Sequence, residues 1–165
     1  MKRIRKEVEL AAPVADVWAV FSTSEGAKTF FGYDARIELR MGGAYEILFD
    51  ADAAPGSRGS EGMRVLSFIP NEMLSFEWNA PPDFPDVRAA EKAFVVVRLD
   101  ATSKGTRVRL DHLGFGEGAS WDGVHTYFSR AWDLVLAWLE HRFQAGPVDW
   151  SHPPRPGHSY DAPVR

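Results

Sequence analysis

The chain contains no cysteine. That excludes disulfides, thiolate catalysis and zinc sites built on cysteine. Basic residues are not in excess either: 19 Lys and Arg stand against 23 Asp and Glu, giving a net charge of −4. A general nucleic-acid binder needs the opposite balance, because Lys and Arg must displace counterions from phosphates. The one basic run, Lys2–Lys6, reads as a solvated edge strand whose charges discourage edge-to-edge pairing. No apolar run resembles a signal peptide, and none is long enough to span a bilayer. No membrane span is therefore expected, and the cytoplasm is the expected location.

Several chemical signatures are also missing. There is no Gly-x-Ser-x-Gly elbow and no phosphate-binding glycine loop. The segment GFGEG at 114–118 lacks the Lys-Ser/Thr ending of a P-loop and reads as a flexible turn. No histidine pair has the His-Glu-x-x-His spacing, so neither a metal nor a cofactor is expected.

What is present is a globular composition, 45% hydrophobic and 25% charged over 165 residues, enough to bury one core. Ile4, Val8 and Leu10 alternate with charged residues and predict a strand. Pro13 suits the first turn of a helix carrying Val14, Val17, Trp18 and Phe21. A short second helix is expected from Ser24, as N-cap, to about Phe31, with Gly32 as its stop. Strands then follow: Ile37, Leu39 and Met41; Tyr45, Ile47 and Phe49; residues 63–69; Leu74, Phe76 and Trp78; and a hairpin of 94–99 with 107–112. Residues 50–60 and 80–90 read as loops, the second a candidate rim or lid.

From Trp121 the period becomes helical, and Val124, Phe128, Ala131, Val135, Trp138 and Leu139 share one face to about Phe143. Gly146-Pro147 ends this helix. The order predicts an α+β fold: a curved antiparallel sheet wrapped round a long C-terminal helix, with two short helices after the first strand. Residues 1–145 form one domain on this reading, and 146–165 a proline-rich tail. That tail reads either as a poorly ordered extension or, through Trp150 and Tyr160, as a segment anchored on its own domain or on a second subunit, so a homodimer is compatible with the sequence.

Four segments resemble a known family. ELAAPVADVWAVFS (9–22) is similar to the first strand and helix of START-like (SRPBCC) domains. GMRVLSFIPNEMLSFEW (62–78), KGTRVRLDHLGF (104–115) and GVHTYFSRAWDLVLAWLEHRF (123–143) resemble the branch related to the activator of heat-shock protein 90 ATPase. The resemblance spans roughly residues 4–143 and implies the helix-grip fold with a hydrophobic ligand cavity. Phe30-Phe31 stand where this family often has paired tryptophans, which alters the expected pocket shape. The eukaryotic activator has a separate chaperone-binding N-terminal domain with no counterpart here, so a chaperone partner is not expected. Fold alone does not fix function, since the superfamily includes carriers, receptors, cyclases and co-chaperones.

In the strand 107–112, His112 shares the parity of Val108 and Leu110 and should point inward, while Arg107, Arg109 and Asp111 should face solvent. His112 is thus a candidate cavity hydrogen-bonding group or general acid/base, or a structural histidine satisfying a loop carbonyl. His125 is a boundary position on the last helix. The expected cavity residues are Phe30, Phe31, Tyr45, Trp78, His112, Phe128 and Trp132. The leading expectation is a binder of a small hydrophobic or aromatic molecule, its polar end oriented by His112 and Tyr45. The alternatives are a cyclase or hydratase using His112 as general acid/base, and a co-chaperone-like partner module.

Overall fold

A computed structural model describes residues 2–164. The chain runs β1 (Ile4–Leu10), α1 (Val14–Ser22), α2 (Ser24–Ala27), β2 (Asp34–Ile37), β3 (Tyr45–Leu48), β4 (Val65–Ile69), β5 (Met73–Trp78), α3 (Pro85–Ala90), β6 (Ala93–Thr102), β7 (Gly105–Leu113) and α4 (Ala119–Ala145). Five strands form one antiparallel sheet in the order β1-β7-β6-β5-β4, and β2 pairs with β3. The isolated bridges Ala44–Arg64 and Leu48–Gly59 join the small sheet to the chain around β4. This is the α+β helix-grip architecture.

Alternation does the sorting in β5, β6 and β7. Leu74, Phe76 and Trp78, Val95, Val97 and Leu99, and Val108 and Leu110 are all buried on one face. Against that face lie Val124, Phe128, Trp132, Val135, Leu136 and Leu139 of α4, at helical spacing. The β6–β7 turn depends on Gly105. Its φ of +144° is glycine territory, and a Cβ there would meet the Leu10 carbonyl oxygen at 2.1 Å.

Several local expectations need correction. α2 stops at Ala27, not Phe31. Its cap is Thr23, whose Oγ1 accepts the Gly26 N–H at 3.0 Å. Ser24 instead uses its hydroxyl to accept the Ile37 N–H at 2.8 Å, tying α2 to β2. β2 ends at Ile37, so Met41 is 75% exposed in a turn rather than on a buried strand face. The segment 80–90 is not all loop: Pro85 opens α3, where a missing N–H is tolerated.

Two charged residues expected in solvent are buried. Asp111 lies under the outer arginines of β1 and accepts from Arg5 Nε at 2.7 Å and Nη2 at 3.0 Å. Lys6 shares the parity of Ile4 and Val8 and is 1% exposed. A buried ammonium persists only when paired, and Lys6 reaches Asp133 of α4 at 2.8 Å and also Asp161.

Asp161 belongs to the C-terminal tail, which docks along the edge of β1. The Glu7 N–H donates to the Tyr160 carbonyl at 2.9 Å, and the Ala162 N–H to the Arg5 carbonyl at 3.0 Å. The edge is therefore covered by the chain's own backbone, not merely by solvated charge. Among the described residues no helix is long and apolar enough to cross a membrane.

Candidate functional site

Along one face of α4, Phe128, Ala131, Trp132, Leu134, Val135 and Trp138 form the floor of a cavity of about 400 Å³. Trp78, the last residue of β5, adds a second aromatic wall. The β3–β4 connection closes one side with Phe49, Ser57, Arg58 and Ser60, and Asn79–Asp83 closes the other. From the segment 80–90, Ala80–Asp83 and Arg88 thus border the cavity. Arg88 of α3 staples the two sides together. Its guanidinium donates to the Ala80 carbonyl at 2.6 Å, and to the Gly56 and Gly59 carbonyls at 2.6 and 2.9 Å. Burial pulls the Arg88 pKa down, opposed by Glu61.

The expected site residues divide into two groups. Trp78, Phe128 and Trp132 line the cavity. Phe30, Phe31, Tyr45 and His112 do not; they form the packed layer behind it, each 0% exposed. Phe31 stacks on Trp78 with ring centroids 5.6 Å apart, so it supports the wall from behind. The Tyr45 hydroxyl donates to the Phe21 carbonyl at 2.8 Å, and burial pushes its pKa well up. It is unavailable to orient a ligand, which corrects the role expected of it.

His112 does point inward, as strand parity required, but Trp132 stands in front of it. The Trp132 Nε1–H donates to His112 Nδ1 at 3.0 Å. An accepting Nδ1 places the ring proton on Nε2, which has no hydrogen-bond partner. Burial, with a smaller contribution from His125, lowers the His112 pKa from 6.5 to about 3. The ring is neutral at physiological pH and sealed from the cavity, so it lacks the reach required of a general acid or base on a cavity-bound substrate. His112 instead ties β7 to α4. His125 lies outside the cavity too, its ring 5.0 Å from that of Phe115.

Sequence reasoning missed Asn79. It is 7% exposed, borders the cavity, and its carboxamide has no hydrogen-bond partner among the described residues. Two of the three cavity indoles have their N–H groups engaged elsewhere, Trp132 with His112 and Trp138 with the Pro154 carbonyl at 3.0 Å. Asn79 is therefore a polar group beside the aromatic walls that a ligand could engage. The available signal was a lone amide between an inward Trp78 and the Ala80-Pro81-Pro82 break. Among the described residues no three His, Asp or Glu side chains converge to hold a metal ion.

This sheet-and-helix frame with a cavity along the last helix has relatives. The sequence model of the family described as Activator of Hsp90 ATPase homolog 1-like protein matches residues 11–144. The chain belongs to this family. No curated protein matches the sequence. Solved structures do match this family member. Protein MLL2253 from Mesorhizobium loti is 19% identical, with 85% of this chain and 95% of that one covered and a TM-score of 0.68. The Aha1 dimer from Colwellia psychrerythraea, solved in solution, is 16% identical over 88% and 98%, with a TM-score of 0.67. DynU16, from the dynemicin biosynthetic locus, is 16% identical over 89% of this chain and 49% of that one, at a TM-score of 0.65. At such identities the likeness concerns the fold. The tail beyond residue 144 lies outside the family match.

Proposed function

We propose that this family member binds a small, largely apolar, flat molecule in the cavity between the sheet and α4, with Asn79 reading its polar edge. The observation that carries this reading is the combination of about 400 Å³ of space, aromatic walls and the Asn79 side chain at its border. Small-molecule sites are concave, mostly apolar, and hold a few convergent polar groups. The Asn79 carboxamide at the cavity border can exchange water for a ligand's donor and acceptor, a net gain of about 1 kcal/mol per hydrogen bond. Trp78, Phe128 and Trp132 offer ring surfaces for stacking or edge contact.

Native mass spectrometry of the purified protein should reveal a retained small molecule. Two substitutions separate cavity binding from adventitious surface binding. Ala131→Trp fills the floor of the cavity and should abolish uptake of anilinonaphthalene sulfonate while leaving the circular dichroism spectrum unchanged. Asn79→Ala should weaken an amide- or acid-bearing aromatic ligand by about tenfold, since one hydrogen bond is worth about 1 kcal/mol or somewhat more. Probe binding by the Ala131→Trp protein at native affinity would place the ligand elsewhere and end this reading.

A further inference from the structure

The tail contributes to the cavity through one residue. Trp138 forms the C-terminal end of the cavity floor. Two contacts fix its ring, and both come from beyond α4. Its Nε1–H donates to the Pro154 carbonyl at 3.0 Å. Its ring meets that of Trp150 at 5.0 Å and 90°, edge to face. Trp150 is itself held, since its Nε1–H donates to the Lys28 carbonyl at 2.9 Å, while the Val148 N–H reaches the Thr29 carbonyl at 2.9 Å. Further along, the Tyr160 hydroxyl donates to Glu140 at 2.7 Å, and the Tyr160 N–H to Asp133 at 3.0 Å. Lys6 then clamps Asp161.

A proline-rich segment without regular structure makes few hydrogen bonds within itself, so its fixed course rests on these side-chain anchors and on its backbone bonds to Thr29 and to the β1 edge. The anchors of Pro154, Trp150 and the Tyr160 hydroxyl reach the last turns of α4 and residue 28, while the Tyr160 N–H and Asp161 reach mid-α4 and β1.

We infer that the C-terminal tail is the specificity element of the binding site: by holding Trp138 against the cavity it sets the maximum length of the ligand. The inference rests on the cavity being a binding site. A large ring with two χ angles can swing if its N–H and outer edge are released, and the end wall then opens toward the space the tail occupies. With the tail docked, the end is shut by a rigid indole.

The test is a series of para-alkylphenols, from ethyl to octyl, titrated into the full-length protein and into Trp150→Ala. For the native protein, affinity should rise with chain length and then fall sharply at a cut-off. Trp150→Ala should move that cut-off to chains longer by about two methylenes, with ethylphenol affinity within about twofold of native. Hydrogen exchange of the Trp138 indole N–H, followed by NMR, should speed up at least about tenfold in the variant. An unchanged cut-off, or unchanged indole protection, overturns the inference while leaving the cavity reading intact. A native protein that takes up no member of the series removes both. Should Trp150→Ala not fold, Trp150→Leu carries the same comparison, since it keeps apolar bulk in the tail, leaves the Trp138 wall intact and deletes both the tie to the Lys28 carbonyl and the edge-to-face ring contact.

Discussion

Acidification should destabilise the fold through His112, by about 2 kcal/mol at pH 5 and roughly 4 kcal/mol at pH 3. The direction follows from the proton count. The folded-state pKa is about 3, below the 6.5 of the unfolded chain. Between those values the unfolded state binds a proton that the folded state refuses, so stability falls as pH falls. Above pH 6.5 the contribution is constant, and below about pH 3 the loss is complete. The cause is local: the ring is 0% exposed, packed among Phe115, Phe128 and Trp132, and charging it would oppose both burial and the Trp132 N–H, which needs Nδ1 as an acceptor. Urea titrations of native protein and His112→Gln between pH 7.5 and pH 4.5 check this. The variant should be less stable at neutral pH but lose less on acidification. Parallel pH profiles for the two proteins would show that His112 titrates normally.

Phe31→Ala should cost about 3–5 kcal/mol, the range for deleting a fully buried aromatic ring. Phe31 lies at the centre of the aromatic core, with ring centroids of Phe21, Phe30, Tyr45, Phe49, Trp78 and Trp132 all 5.1–6.5 Å away. Its neighbours come from α1, the turn after α2, β3, β5 and α4, so no single element can move to fill the space. The denaturation midpoint should fall with little change in slope, as the area exposed on unfolding is nearly the same. Phe31→Leu keeps most of the volume and should cost less than about 2 kcal/mol. Near-equal losses for the two variants would mean that the surrounding rings collapse into the vacated space. Because Trp78 and Trp132 are both cavity walls and Phe31 neighbours, the Ala variant should also widen the range of probes bound.

The outline of this molecule was legible because burial writes a period into the chain. Val95, Val97 and Leu99 at period two, and Val124, Phe128, Val135 and Leu139 at helical spacing, specify a half-buried sheet and an amphipathic helix that need one another. The same rule oriented His112 correctly. Parity gives the face of the sheet, however, and not the depth beneath that face. His112 and Tyr45 are inward and still out of reach of the cavity, because Trp132 and Phe31 lie between them and open space or crowd against them. Elsewhere parity held and residue type misled. Lys6 was assigned to solvent as part of a basic run, yet its position between Ile4 and Val8 placed it inside, where Asp133 and Asp161 neutralise it across more than a hundred residues of sequence.

The sequence by itself determined the class of fold, the two faces of each strand and of α4, the absence of thiol chemistry, and the aromatic character of the interior. Each of these depends on residue type and local period. Tertiary structure alone decided where the space is, that Asn79 borders it unengaged, that an Arg88 staple holds its rim, and that the tail fixes Trp138 at its end. A cavity is volume left over between elements. It depends on how side chains from distant segments fill the common interior, and that sum has no local signature.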